Sequence, residues 1–212
     1  MTTTNQFAVL AARLERSLCG RTAIERYALG CTLLRLLAEG QPVSPQRLAE
    51  ASGQALPAIM AALRQAPSIE WDAHGNIVGA GLTLRPTPHR FEVDGRTLYT
   101  WCALDTLMFP ILLGQTAHVE SPCRGTGRPV QVTVTPTGVA QVDPPEAVVS
   151  LVMPDAHPDI RQVFCNDVHF FASPAAAAAW LTDHPNAAIV PVVEAYHLGR
   201  RLADVMCEAC QP

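Results

Sequence analysis

The sequence predicts an α+β protein in which a helical, winged-helix-like segment at residues 1–80 precedes a mixed α/β domain with mainly antiparallel strands at 81–212. Two patterns indicate this. Apolar residues recur at helical spacing in the first part of the chain, and later runs alternate apolar with polar residues between turn signals. The chain has 212 residues, 49% of them apolar, which suffices for one large domain or two small ones with a sizeable core.

The first segment combines four predicted helices with a hairpin. Ser44 followed by Pro45 is typical of a helix start, because Ser caps the first turn and Pro is favoured at its first position. The order of helices followed by a hairpin is that of a winged helix. The predicted helices span 7–18, 24–38, a stretch from Ser44 to the turn Ser52-Gly53, and 56–64; the hairpin turns at His74-Gly75-Asn76.

The second segment is predicted to contain several strands and two helices. Asp94-Gly95 is a strong hairpin signal between two alternating runs. The run at 147–152 is apolar throughout, which indicates a strand buried on both faces. The predicted strands are 81–86, 89–93, 96–100, 117–121, 130–135, 147–152 and 187–193; helices are expected after Ser173 and at 194–205.

Composition excludes several classes of function. All fifteen basic residues are Arg, so a Schiff-base lysine and a P-loop lysine are absent. There is no G-x-G-x-x-G motif, no secretory signal pattern and no apolar stretch long enough for a transmembrane helix. Seven scattered cysteines argue against a disulfide framework and predict a cytoplasmic protein.

The winged-helix order raises the possibility of DNA binding. Residues 1–80 hold seven Arg against six Asp and Glu, a net charge of +1, and the helix at 56–64 carries Arg64 as its single base. Nucleic-acid binders normally present a strongly basic face. We therefore expect neither a nucleic-acid nor a membrane partner; the alternative is a thiol-based metal sensor or transcriptional regulator.

The candidate reactive residues lie in two apolar stretches that contain cysteine. Cys102 and Asp105 stand three residues apart in the stretch 99–110, and positions i and i+3 share a face if this stretch is helical. Cys165 lies in a second apolar stretch at 163–171. Aspartate is rarely buried without a partner, so two thiols and a carboxylate indicate soft-metal chemistry with proton transfer. The alternative is two core thiols and a capping aspartate.

The residues around these cysteines carry a family resemblance. Trp101-Cys-Ala-Leu-Asp105-Thr-Leu-Met-Phe-Pro, preceded by Arg96-Thr-Leu-Tyr, and Phe164-Cys165 followed by Val168-His-Phe-Phe-Ala-Ser resemble the organomercurial (alkylmercury) lyase family of bacterial mercury resistance. The stretch Gly75-Asn-Ile-Val-Gly-Ala-Gly-Leu-Thr-Leu and the run Glu146-Ala-Val-Val-Ser-Leu-Val are also similar. The similarity covers roughly residues 40–200 and is loose in the first helices.

The resemblance implies a site and a reaction. In this family the residues at the positions of Cys102, Asp105 and Cys165 form the active site and hold the mercury of substrate and product. Some members carry a second cysteine where this chain has Asn166. The expected reaction cleaves a carbon–mercury bond and leaves Hg(II) on two thiolates, with 81–212 as the catalytic thiol domain. No organic cofactor is expected, and mercuric reductase or low-molecular-weight thiols are the expected acceptors of Hg(II).

Other cysteines and a histidine leave alternatives open. Cys123, in a Pro/Gly-rich loop, is either a packing residue or a third mercury ligand, and the resemblance favours packing. His169 follows Cys165 by four residues, but a strand would separate the two by roughly 13 Å, too far for one zinc ion. Cys207 and Cys210 form a Cys-x-x-Cys pair that either passes mercury to a partner or has no role.

Overall fold

The computed structural model describes residue 12 and residues 24–66, 68–153 and 159–208. Apart from residue 12, the predicted helix at 7–18 lies outside these ranges, as do the cysteines Cys19 and Cys210. No helix in the described ranges combines the length and the apolar character that crossing a bilayer requires.

The described part of the N-terminal segment contains three helices, as predicted. These are α1 (Ile24–Ala38), α2 (Pro45–Ser52) and α3 (Leu56–Arg64). The backbone N–H of Arg47 donates to the Ser44 hydroxyl at 3.1 Å, which caps α2, and Gly53 ends it with a left-handed φ of 66°. On α3 the buried side chains are Ile59 and Leu63.

The described residues also form two sheets, in which every strand pair is antiparallel. The strands are β1 (Glu70–Trp71), β2 (Ile77–Ala80), β3 (Leu82–Thr83), β4 (His89–Val93), β5 (Arg96–Thr100), β6 (Ala117–Pro122), β7 (Pro129–Thr135), β8 (Gly138–Asp143), β9 (Val148–Leu151), β10 (Phe170–Phe171) and β11 (Ala188–Pro191). The large sheet has the order β1-β2-β3-β5-β4-β6-β7-β8, and the small sheet has the order β10-β9-β11.

Turn chemistry accounts for the hairpin that leads to the site. Asp94 and Gly95 join β4 to β5 with φ values of 50° and 70°, the pair of positive angles that a tight two-residue hairpin requires. Because this turn sets the register, Phe91 lies opposite Leu98, and both side chains are buried. The predicted hairpin is confirmed.

Four more helices are found in the described residues after β5. They are α4 (Ala103–Leu113), α5 (Ile160–Val163), α6 (Ala178–Asp183) and α7 (Val192–Glu208), with short 3-10 turns at Cys165–Asp167 and Ala175–Ala177. The apolar helix α4 packs between the large sheet and α7. A Cβ atom on Gly199 would lie 3.4 Å from the Cβ of Met108, so glycine allows α7 to approach α4 closely.

The N-terminal segment and the remainder share the large sheet. Val43, between α1 and α2, exchanges backbone hydrogen bonds of 2.9 and 2.8 Å with Ile77 of β2. Through β2 and β3 the sheet then continues to β5. The hairpin of the winged-helix-like segment is therefore the edge of the sheet whose strand β5 leads to Cys102.

Several predicted boundaries are wrong. Strand β8 had not been predicted, and β11 pairs with β9 in the small sheet rather than closing a single sheet. Helix α7 runs to Glu208 instead of ending at Val205, so Cys207 lies inside the helix. The segment after Ser173 begins as a 3-10 turn, although Ser173 caps it as predicted through a 3.2 Å bond from the Ala176 N–H.

Candidate active site

Cys102 lies where β5 turns into α4. It has an extended backbone, with φ −148°, and is the N-cap residue of the helix. Its N–H donates to Oδ2 of Asp105 at 3.2 Å, and the Asp105 N–H points back at the Cys102 sulfur in a capping-box arrangement. The Thr100 hydroxyl donates to the Cys102 carbonyl at 2.9 Å. The cap therefore fixes the thiol and the carboxylate side by side.

Cys165 begins a 3-10 turn between α5 and β10, and the assumption of a strand at this point is wrong. Buried Ser150 of β9 holds the segment: its hydroxyl donates to the Asp167 carbonyl at 2.8 Å and accepts from the His169 N–H at 2.8 Å. The N–H of Ala103 donates to the Val168 carbonyl at 3.0 Å, which joins this segment to the start of α4.

The fold brings together the three side chains that the sequence singled out. The sulfurs of Cys102 and Cys165 and a carboxylate oxygen of Asp105 lie within 4.8 Å of one another. All three residues are buried, with relative exposures of 1%, 6% and 9% in that order. Among the described residues, this is the group whose His, Cys, Asp and Glu side chains could hold a metal ion; it does not include His169 or Cys123.

Burial sets the proton affinities of the site. It raises the pKa of Cys102 well above its ordinary value, and the hydrogen bond with Cys165 and the charge of Asp105 raise it further. Burial also raises the pKa of Asp105 to about 6, although hydrogen bonds with Cys102 and the charge of Arg161 oppose the increase. At neutral pH the Cys102 thiol is thus protonated beside a carboxylate that is mostly ionised.

A network of three residues, none of which had a role predicted from the sequence, links the segments that carry the two cysteines. The guanidinium of Arg161 lies over the Trp101 ring, 4.8 Å from its centroid, and forms an ion pair with Glu70. The Trp101 indole N–H donates to the same Glu70 carboxylate at 3.1 Å. These contacts connect residues that precede each cysteine in the chain. Because the partners are far apart in the sequence, no local pattern predicts the contacts.

Cys123, His169 and Cys31 have different surroundings. Cys123 is 1% exposed, and its sulfur accepts a hydrogen bond from the Ala172 N–H at 3.2 Å. His169 packs against the rings of Phe171 and Trp180, and burial lowers its pKa to about 4. Cys31 of α1 is also buried.

The arrangement suits a soft, thiophilic metal. Two sulfurs at this separation can both bind one ion, since metal–thiolate bonds are roughly 2.3 Å or slightly longer. Binding a metal requires the thiols to lose their protons. The adjacent carboxylate can accept such a proton and return it to a bound group. The site can therefore couple metal capture to proton transfer in a largely buried place.

Comparison with known proteins agrees with this chemistry. The family described as "Alkylmercury lyase" matches residues 82–204, and the "Helix-turn-helix domain of alkylmercury lyase" matches residues 9–81. A solved structure, the mercury-bound form of MerB2, aligns with a TM-score of 0.77 and 26% identity over 93% of this chain and 98% of that one.

Three relatives share about half of their residues with this chain. The alkylmercury lyase of Streptomyces lividans is 49% identical, covering 98% of this chain and 97% of the relative. That of Staphylococcus epidermidis is 50% identical, covering 91% and 89%, and that of Pseudomonas putida is 52% identical, covering 94% and 95%. At this identity over nearly full length, the chain belongs to the alkylmercury lyase family.

Proposed function

We propose that the protein cleaves carbon–mercury bonds by protonolysis, releasing a hydrocarbon and retaining Hg(II) on Cys102 and Cys165. The observation that carries the proposal is the buried triad whose three ligand atoms lie within 4.8 Å of one another. A carbon–mercury bond is inert in water because the carbon is difficult to protonate. A site that pairs two soft ligands with a proton carrier addresses that obstacle.

The first step is capture of the organomercurial cation by one thiol. Cys102 forms a sulfur–mercury bond and gives its proton to Asp105, which it already contacts through the capping box. The carboxylate is a suitable acceptor because its pKa of about 6 lies near neutral pH. The new thiolate cancels the positive charge of the cation and Asp105 becomes neutral, so the loaded site carries no net charge.

The second step breaks the carbon–mercury bond. Cys165 binds the same mercury and its proton leaves to solvent, so that two thiolates push electron density toward the carbon. Asp105 then donates its proton to that carbon, and the electron pair of the carbon–mercury bond forms the new carbon–hydrogen bond. The balance is one organomercurial cation and two thiols giving one hydrocarbon, one bis-thiolate Hg(II) and one released proton.

Product release requires another thiol, since Hg(II) leaves a dithiolate slowly unless an incoming thiolate attacks it. Low-molecular-weight thiols or a mercuric reductase are the proposed acceptors, and no organic cofactor is required. A reducing cytoplasm suits a site of two unoxidised cysteines. The role proposed for the protein is detoxification of organomercurials.

The test is to incubate the purified protein with an arylmercury compound and excess thiol, and to measure the hydrocarbon released. We expect multiple turnovers for the parent chain and none for Cys102→Ser or Cys165→Ser, because each variant lacks one of the two soft ligands. Cys31→Ser, a buried thiol of α1 outside the triad, is the matched control and should remain active. Absence of hydrocarbon release by the parent would refute the proposal.

A further inference from the structure

A single carboxylate oxygen from the N-terminal hairpin links the two halves of the site. Oε1 of Glu70, in β1, accepts the indole N–H of Trp101 at 3.1 Å and also pairs with the guanidinium of Arg161. Trp101 immediately precedes Cys102, and Arg161 lies four residues before Cys165 in the chain. The same oxygen therefore contacts the segment of each mercury-binding cysteine.

The surroundings hold the Glu70 side chain in one position. It is 10% exposed, and its second oxygen, Oε2, accepts the Thr83 hydroxyl at 2.5 Å. A Cβ atom on Gly79 would overlap with Oε2, so glycine at that position leaves the room that the carboxylate occupies. A buried carboxylate is tolerated only when its oxygens are satisfied, and here three donors satisfy them.

A second contact follows the same route. The Ser68 hydroxyl, just before β1, donates to Oδ1 of Asp159 at 2.5 Å, and that oxygen also caps α5 by accepting the Gln162 N–H at 3.2 Å. Helix α5 leads directly into the 3-10 turn of Cys165. Ser68 and the N-terminal hairpin thus contact the segment before Cys165 at two neighbouring points, the N-cap Asp159 and Arg161 in the first turn of α5.

We propose that Glu70 is a positioning residue for the thiol pair: it fixes Trp101 against Arg161, and so keeps the Cys102 and Cys165 segments at the separation that one mercury ion requires. The winged-helix-like segment then serves the active site rather than DNA. This inference rests on the proposed function, because it takes the thiol pair as the mercury site. It adds a required residue from outside the domain that carries the two cysteines.

The experiment measures Hg(II) affinity and turnover separately. Hg(II) is titrated against a competing small dithiol and followed by the ultraviolet absorbance of the mercury–thiolate bonds; kcat and KM come from arylmercury cleavage. Glu70→Gln keeps an acceptor for Trp101 but loses the charge that holds Arg161. We expect Hg(II) affinity and kcat each to fall about 10-fold, with little change in KM, since small displacements of reacting groups are costly.

Two further variants make the result specific. Glu92→Gln removes a carboxylate of the same kind from an exposed ion pair with Arg90 on the sheet and should match the parent. Arg161→Gln should reduce affinity and kcat as well, and the double variant Glu70→Gln/Arg161→Gln should be no worse than Arg161→Gln alone, because both act through one contact.

The outcomes separate the two proposals. A parent chain that neither binds Hg(II) through its thiol pair nor cleaves substrate would overturn both of them. A parent that does both while Glu70→Gln matches it, or losses in the double variant that simply add, would overturn the role of Glu70 alone. If Glu70→Gln does not fold, Trp101→Phe removes the N–H that reaches Glu70 and must itself lower Hg(II) affinity; unchanged affinity would again overturn the inference.

Discussion

Asp105 accepts the N–H of Cys102 at 3.2 Å while its own N–H points at the Cys102 sulfur. The helix cap thereby also joins the thiol to the carboxylate that is its proposed proton acceptor. A cap of this kind is specified by a single pair of residues, at the N-cap and N3 positions. The reactive groups lie at the start of a rigid, buried helix, which favours accurate placement.

Replacing the carboxylate should separate mercury binding from cleavage. Asp105→Asn retains an oxygen that can accept the Cys102 N–H, so the cap and the thiol pair should persist. We expect Hg(II) binding to remain and turnover to fall by about 100-fold or more, because the amide cannot carry the proton. Hydrocarbon release and Hg(II) titration on the same preparation measure the two effects; near-parent turnover would remove Asp105 from the mechanism.

The value of kcat/KM should fall at acidic pH. Asp105 must be ionised to accept the thiol proton, and its pKa is raised to about 6. Below that pH the carboxylate is protonated, so kcat/KM should be about 10-fold lower at pH 5 than on the neutral plateau. The measurement is a pH profile of kcat/KM, with the residual activity of Asp105→Asn as control. If kcat/KM of that variant falls over the same acidic pH range, the titration belongs to another group.

Burying this carboxylate should also cost stability. The folded-state pKa of about 6 lies above the ordinary value of 3.8, so the folded chain holds the proton more tightly than the unfolded chain. The penalty is present above pH 6, where both states are ionised, and disappears below about pH 4, where both are protonated. Asp105→Asn should therefore be more stable by about 2–3 kcal/mol at pH 8, with little difference at pH 4.

Urea unfolding at the two pH values measures this difference. Glu92→Gln again provides the control, because its carboxylate is in an exposed ion pair that contributes little. A constant gain for Asp105→Asn at both pH values would mean that packing, rather than the buried charge, is responsible.

The sequence predicted the elements that have local chemical signals. Ser44 with Pro45, the Asp94-Gly95 turn and the Cys102 segment each specify their structure through caps, φ angles or periodicity. Strand β8 was not predicted, because its residues are partly or fully exposed and its apolar alternation is therefore weak. The strand assumed at Cys165 was wrong because a distant partner, Ser150, supplies the hydrogen bonds that hold the turn.

The separation of the site into two distant segments limited the prediction further. The three triad residues could be named because two of them share one helix turn and all three match a family pattern. Glu70 and Arg161 could not be, since they are 91 residues apart and each alone resembles an ordinary surface charge. Long-range ion pairs of this kind have no periodicity from which they could be inferred.

The C-terminal cysteines should affect product release rather than chemistry. Cys207 lies in the last turn of α7, and a tethered Cys-x-x-Cys pair that reaches the site raises the local thiol concentration to about millimolar. Cys207→Ser/Cys210→Ser should slow turnover at low external thiol and match the parent at high thiol. Equal rates across the whole thiol range would assign the pair no role in release.

Cys123 should prove structural, and two substitutions can test how. Its sulfur accepts the Ala172 N–H, and the N–H of neighbouring Arg124 donates to the Phe170 carbonyl at 2.9 Å. This loop therefore holds the strand that follows Cys165. Cys123→Ala leaves the Ala172 N–H without its acceptor and should cost about 1–3 kcal/mol in urea unfolding. Cys123→Ser restores an acceptor and should cost less.

Both variants should still bind one Hg(II) per chain, because Cys123 lies outside the triad. Weaker Hg(II) binding by Cys123→Ser at unchanged stability would instead identify this cysteine as a third ligand.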